Sequence, residues 1–378
     1  MENADITIVG AGIIGLAVSS FVSVRQCPVY VLEKNLSFGQ ETSSRNSEVI
    51  HSGIYYPRNS LKAKTCVEGN RLIYQFCDKH NIPCKKTGKL VVAAEEKEIP
   101  FLERLWQNGR QNDVLGLRML SGKEIKDIEP NIKAKACLFS AETGIIDAHS
   151  LMRYLFQKAK SQNAEFIFGA EVISIDKQKT GYKVTVRDTD GEKFSFPTKI
   201  LINCAGLFSD TIAEMAGLDP KKEGYLLQYC KGEYFRVHSA KAGLIKHLVY
   251  PVPDYRGVSL GIHATLDLGG GLRLGPDAQY IGRDNIDYSV DSRKREKFYR
   301  SVRNFLPFIE SGDLGADSAG IRPKLAGADH GFKDFVICHE EKKGFPGFIN
   351  LIGIESPGLT ASLAIGKYVN AIAGKIIP

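Results

Sequence analysis

No stretch of this chain approaches the ~18 consecutive apolar residues that a membrane-spanning helix requires, so a transmembrane protein is not expected. The eight cysteines (Cys27, Cys66, Cys77, Cys84, Cys137, Cys204, Cys230 and Cys338) include no C-x-x-C pair. That argues against a zinc or iron–sulfur centre and for reduced thiols in a cytosol-like compartment; no metal is expected. No basic stretch carries interleaved aromatic residues, which speaks against nucleic-acid binding. Internal repeats and low-complexity linkers are also missing, so two domains would have to interleave along the chain. The N-terminus enters an apolar run with no basic or hydrophobic leader. The expectation is a cytoplasmic protein, with peripheral membrane contact left open.

What is present starts with size. A chain of 378 residues, 43% hydrophobic and 25% charged, can bury two cores. The net charge of +7 suits an anionic small-molecule partner and equally suits plain solubility.

The most informative stretch runs from Asp5 to Glu33. Asp5–Val9 reads as a buried strand, and Gly10-Ala11-Gly12-Ile13-Ile14-Gly15 follows at once. A helix is expected from Ile13 to about Gln26, then a second strand, Val29–Leu32, ending at the acid Glu33 and Lys34. G-x-G-x-x-G inside a strand–helix–strand unit, with an acid roughly 20 residues on, is the dinucleotide-binding pattern. Gly10 allows the tight turn, Gly12 lets a pyrophosphate approach the backbone, and Gly15 lets helix and strand pack closely. The helix start supplies N–H groups and a partial positive charge. Glu33 suits ribose hydroxyls and would repel a 2′-phosphate. The unit alone does not choose between NAD and FAD.

Further along, Thr42-Ser43-Ser44-Arg45-Asn46-Ser47 has hydroxyls around an Arg, suited to phosphate. His51, Tyr55 and Tyr56 follow beside Gly53. Helices are expected over Ser60–His80, Lys97–Asn112, Ser121–Glu129 and from Asp147 as N-cap. Lys89–Ala94, Glu165–Phe168, a Val172–Asp176/Tyr182–Arg187 hairpin and Lys199–Asn203 read as strands. Cys204-Ala205-Gly206 then makes a second small-residue turn into a helix capped by Ser209 or Asp210. Between Leu226 and Leu274 strands dominate (Gly232–Val237, Leu248–Pro251, Val258–His263, Leu272–Leu274), which reads as an antiparallel sheet in a second domain. Val290–Phe305 is helical, and the basic run 292–297 is a solvated face. Phe348–Ile352 is a strand, followed by Gly353-Ile354-Glu355-Ser356-Pro357-Gly358-Leu359-Thr360 at the start of a last helix reaching about Ile376.

Four of these stretches, GAGIIG, SSRNSEVIHSGIYYP, ILINCAGLFSD and LIGIESPGLTASLAIG, together resemble the D-amino-acid oxidase-like FAD-dependent oxidoreductases. KTGKLVVA, KGEYF, GIHAT and AGIRPKL are most similar to the L-2-hydroxyglutarate dehydrogenase branch. The resemblance covers the full length. It implies an α/β fold: a Rossmann-like FAD-binding domain (residues 1–85, 145–220 and 320–378) and an antiparallel-sheet, α+β substrate domain (86–144 and 221–319). It implies noncovalent FAD held by the Gly10–Gly15 turn, Ile14, Glu33, Lys34, Thr42 to Ser47, His51, Val172, Ala205, Gly206, Gly353, Pro357, Gly358, Leu359 and Thr360. It also implies oxidation of a small anionic 2-hydroxy acid, with electrons leaving to a quinone or other acceptor. His263 is the first candidate for the base and His51 the rival. Arg322 and Lys324 are the best carboxylate partners; Tyr56, Tyr250, Lys231 and Arg273 are weaker ones. His80, His149, His238, His247, His330 and His339 read as structural or exposed. An amine or amino-acid oxidase of the same fold, or a non-catalytic FAD-binding subunit, are the competing readings.

Overall fold

The computed structural model of the protein describes residues 4–25, 27–252, 261–325 and 331–377. The first sheet grows around the strand Ala4–Val9, whose residues are nearly all buried. It pairs in parallel with Val29–Glu33 on one side and with the C-terminal half of Lys193–Asn203 on the other. Ala164–Phe168 extends the parallel run at one edge and Phe348–Ile352 at the other. Strands buried on both faces read as continuous apolar runs, which is why these were visible in the sequence. The hairpin Glu171–Lys177/Tyr182–Arg187 and the strand Val336–His339 add antiparallel pairs.

Helix Ile13–Val22 packs on this sheet with Leu61–His80, Ala148–Ser161 and Gly358–Ala373 in one apolar cluster. Small residues set the close crossings. A Cβ on Gly69 would sit 2.2 Å from Thr360 O, and one on Gly366 would sit 2.9 Å from Ala17 O.

A second, nine-stranded sheet contains Gln228–Val237 paired along most of its length with Leu314–Lys324. It has its own core, including Phe235, Leu248, Tyr250, Phe298 and Leu306. The expected all-antiparallel pattern holds except at one place: Lys89–Ala93 pairs in parallel with Leu248–Pro251. The strand Leu314–Lys324 runs across the expected division at residue 320.

Several local readings shift. The first helix ends at Val22 and continues as a 3₁₀ turn to Arg25; its expected end, Gln26, lies outside the described residues, as does His330. Ser209–Met215 is helical, but neither Ser209 nor Asp210 caps it. Phe208 precedes it without a side-chain bond, and Asp210 instead accepts from Leu227 N and Arg283. Of Val258–His263, residues 258–260 lie outside the described set, Gly261–His263 is loop, and the strand begins at Ala264. The last helix stops at Ala373.

Candidate active site

Between the two sheets lies a cleft of about 2150 Å³, including its open mouth. Its floor begins at the first glycine turn. Gly10 has φ +101°, and a Cβ there would lie 2.6 Å from Cys204 O. A Cβ on Gly15 would lie 1.9 Å from Gly10 O, so Gly15 lies behind the turn and closes it rather than lining the cleft. Gly12 does line the cleft. Its backbone is extended (φ −72°, ψ 178°), and a Cβ would fill the gap to Ser43 Oγ at 2.9 Å. Ile13 N, one of the free N–H groups of the helix start, donates to Ser43 Oγ at 2.9 Å. Ile14 also faces the cleft.

Glu33 is only 8% exposed. One carboxylate oxygen accepts from Ala11 N at 2.8 Å, and the other accepts from Asn35 N and Nδ2 at 2.9 and 3.0 Å. It thereby ties the end of the second strand to the glycine turn while still lining the cleft. Lys34 lies over the Phe208 ring and pairs with Glu41 at 3.2 Å.

The segment from Thr42 to Ser47 forms a wall. Thr42 Oγ1 donates to Ile321 O, Asn46 Nδ2 donates to Ser43 O, and Ser47 Oγ meets Tyr234 Oη at 2.8 Å. Arg45 stacks on the Tyr288 ring, and its buried Nε has no partner among the described residues. Ser44 does not line the cleft; its hydroxyl donates to Glu41 O at 3.4 Å. Val172, Ala205 and Gly206 complete this half, and Pro357, Gly358 and Leu359 bring the start of the last helix to it. Gly353 and Thr360 stand behind: Gly353 has φ +69°, and Thr360 Oγ1 accepts from His51 N at 3.0 Å. The glycine cradle and the orphaned guanidinium nitrogen suit a bound dinucleotide phosphate.

The second sheet supplies the other half. His263 is buried and stacks on Tyr250, with ring centroids 3.8 Å apart. Its Nδ1 lies 3.0 Å from Gly261 O. A carbonyl can only accept, so Nδ1 carries the proton and Nε2 keeps its lone pair. Burial pushes this imidazole down to about 3, with Lys89 and Arg322 adding to the effect. His51 is also driven well below the usual histidine range, first by burial, then by Lys89 and His263. Its Nε2 lies 3.3 Å from Ser356 Oγ, and its Nδ1 has no partner among the described residues.

Arg322 lines the cleft and is held by Asp277 O at 2.9 Å and Cys230 Sγ at 3.3 Å, with no ion pair among the described residues. The other candidate cations are engaged elsewhere and do not line the cleft. Lys231 binds Asp287 at 2.7 Å, Arg273 faces Glu48 at 3.7 Å, and Lys324 faces Glu355 at 3.9 Å. Tyr56 sits beside Ser356, outside the lining. Sequence reasoning missed Tyr234 and Gly232, which do line the cleft. KGEYF marks both residues by resemblance, but nothing in their spacing points to a site.

Among the described residues no group of His, Cys, Asp or Glu could hold a metal ion, and no helix is long and apolar enough to cross a membrane.

Residues 5–372 match the family model described as FAD dependent oxidoreductase, DAO. The mitochondrial L-2-hydroxyglutarate dehydrogenase of Arabidopsis thaliana is 40% identical over 403 residues, covering 97% of this chain and 83% of that relative. The L-2-hydroxyglutarate dehydrogenase of Indibacter alkaliphilus is 31% identical over 402 residues, covering 97% of each. Among solved structures, FAD-bound L-alpha-glycerophosphate oxidase from Mycoplasma pneumoniae superposes with a TM-score of 0.86 at 29% identity, covering 98% of this chain and 94% of that one. Glycine oxidase from Geobacillus kaustophilus shares the fold at 18% identity, with a TM-score of 0.81 over 100% and 96%. The chain belongs to the DAO family of FAD-dependent oxidoreductases.

Proposed function

We propose that this protein oxidises L-2-hydroxyglutarate to 2-oxoglutarate and passes the electrons to a quinone or another acceptor. The observation that carries the reading is a cleft that brings together two buried histidine rings and an arginine with no ion pair among the described residues. The names of the relatives supply the substrate.

FAD held along the glycine turn would supply the two-electron acceptor for the oxidation of the substrate's C2. The chain's own residues do the rest. Gly10 and Gly12 leave room for the diphosphate, and Ser43, Arg45 and the helix start meet its charge. Glu33 takes the ribose in addition to the N–H groups it already holds. Pro357 to Leu359 bring a helix N-terminus to the cleft, where its partial positive charge would favour an electron-rich reduced cofactor. Arg322 binds a carboxylate through the guanidinium face that Asp277 and Cys230 leave free. His263 Nε2 accepts the hydroxyl proton as C2 is oxidised, and His51 orients the substrate. The buried His51 Nδ1, which has no partner among the described residues, supports a second reading in which these two roles are exchanged. We also propose that residues 1–85, 145–220 and 320–378 serve the cofactor and 86–144 and 221–319 the substrate, with the strand Leu314–Lys324 continuous across the boundary.

The test is anaerobic mixing of the FAD-loaded protein with L-2-hydroxyglutarate, read by flavin absorbance. Bleaching, with turnover on a dye acceptor, supports the reading. An unbleached flavin that glycine, sarcosine or a D-amino acid does bleach would favour the amine-oxidase alternative. Loss of bleaching in His263→Asn but not in His51→Asn would settle which histidine takes the proton.

A further inference from the structure

Lys89 does not line the cleft, yet its charge reaches both histidines. It opens the strand Lys89–Ala93 and is 0% exposed, and its ammonium has no hydrogen-bond or ion-pair partner among the described residues. Bare buried cations are costly and therefore rare. Two aromatic rings stand where a carboxylate would be expected: Tyr55, with its centroid 4.6 Å away, and Tyr250, at 4.7 Å. The parallel register explains the second contact. Leu248 faces Lys89 and Tyr250 faces Val91, so Lys89 and Tyr250 project from the same side of the sheet. Tyr250 stacks on His263 in turn.

The charge thus lies one ring away from His263. The groups that act directly on it or on the two histidines are Tyr55, Cys66 on helix Leu61–His80, Tyr250, and Arg322 on strand Leu314–Lys324; one step further out, Tyr234 faces Tyr250, and Glu355 faces Arg322 while paired with Lys62 at 3.1 Å. None of the groups that act directly is a carboxylate. Cys66 is itself buried, which drives its thiol upward and keeps it neutral.

We propose that Lys89 is a positioning residue of this centre: its ammonium, sheltered by Tyr55 and Tyr250, keeps His51 and His263 unprotonated, so that each presents a lone pair. The role rests on the 2-hydroxy-acid reading above. It answers a problem that reading creates. A dicarboxylate entering the cleft pulls protons onto nearby imidazoles, and an imidazolium cannot accept the hydroxyl proton. A positive charge on the protein side, complete below about pH 7, opposes that uptake as the pH falls. Lys89 acts through the histidines and need not touch the substrate.

The experiment uses FAD-loaded enzyme with ¹³C-labelled histidine rings, titrated by NMR without substrate; the two signals are assigned with His51→Asn and His263→Asn. In the wild type both rings should stay neutral from pH 8 down to about pH 5. With the titration carried on to the lowest pH at which both proteins stay folded, at least one ring in Lys89→Met should titrate higher than in the wild type by roughly one pH unit or more, a tenfold change in its proton affinity. Anaerobic flavin reduction should lose rate toward acid pH in Lys89→Met, and Lys89→Arg should restore the wild-type profile. Histidine titrations unmoved in Lys89→Met would overturn the proposal, and so would a wild type whose rings titrate at the ordinary histidine value. If L-2-hydroxyglutarate fails to bleach the flavin while the histidines still respond to Lys89→Met, the substrate reading falls and the electrostatic role stands.

Discussion

Replacing Lys89 with methionine should make the protein more stable, and the gain should depend on pH. Methionine keeps an unbranched side chain of similar length and removes the buried charge. Burial pulls the Lys89 ammonium from an ordinary 10.5 down to about 7. Between those values the unfolded chain binds a proton that the folded chain releases. Wild-type stability therefore rises with pH across that window, and the full cost is felt below pH 7. Linkage puts that cost at about 4 kcal/mol at pH 7 and about 2 kcal/mol at pH 9. Lys89→Met escapes it at both. Urea unfolding of both proteins, with FAD saturating and followed by circular dichroism, measures the gap. It should favour the variant at pH 7 and shrink by about half at pH 9. A variant less stable than wild type at pH 7, or a gap that widens with pH, would refute the electrostatic reasoning and leave Lys89 as a packing residue.

Three further substitutions follow from the geometry. Gly12→Ala puts a Cβ 2.9 Å from Ser43 Oγ, against the acceptor of Ile13 N and on the path of the diphosphate; losing one charge-assisted hydrogen bond should weaken FAD binding roughly 10- to 100-fold, measured by titrating apoprotein with FAD. Gly15→Ala would force a Cβ to 1.9 Å from Gly10 O, a backbone atom that cannot move aside; it should abolish soluble, flavin-binding protein, and a well-folded yellow variant would contradict the packing described. Arg322→Met removes a cleft cation with no ion pair among the described residues and should raise KM for a dicarboxylate roughly 10- to 100-fold, with a smaller effect on FAD affinity.

How much of this was legible beforehand depended on where each element gets its stability. The strands Leu248–Pro251, Leu272–Leu274 and Phe348–Ile352 matched their apolar runs to the residue. The Leu61–His80 helix announced itself through the apolar stripe of Leu72, Ile73, Phe76 and Cys77, and the fold adds Ser60 as its cap. Leu314–Lys324 did not read as a strand, because LGADSAGIRPK mixes Gly, Asp and Pro without alternation. Its long pairing with Gln228–Val237 holds it extended, and that is a tertiary fact. The same limit applies to the cations. Arg322, Lys231, Arg273 and Lys324 look alike in a sequence; only the fold shows three of them engaged by carboxylates and one left facing the cleft. Lys89 was the hardest to see. A lysine at the head of a strand reads as a solvated residue, and the partner strand that buries it begins at Leu248.

The most direct measurement is stopped-flow absorbance of the FAD-loaded enzyme mixed anaerobically with L-2-hydroxyglutarate. The account expects the flavin band to bleach in a single substrate-dependent phase, with 2-oxoglutarate formed in equal amount. A flavin band that stays unchanged at saturating substrate, in protein shown to hold FAD, would contradict it.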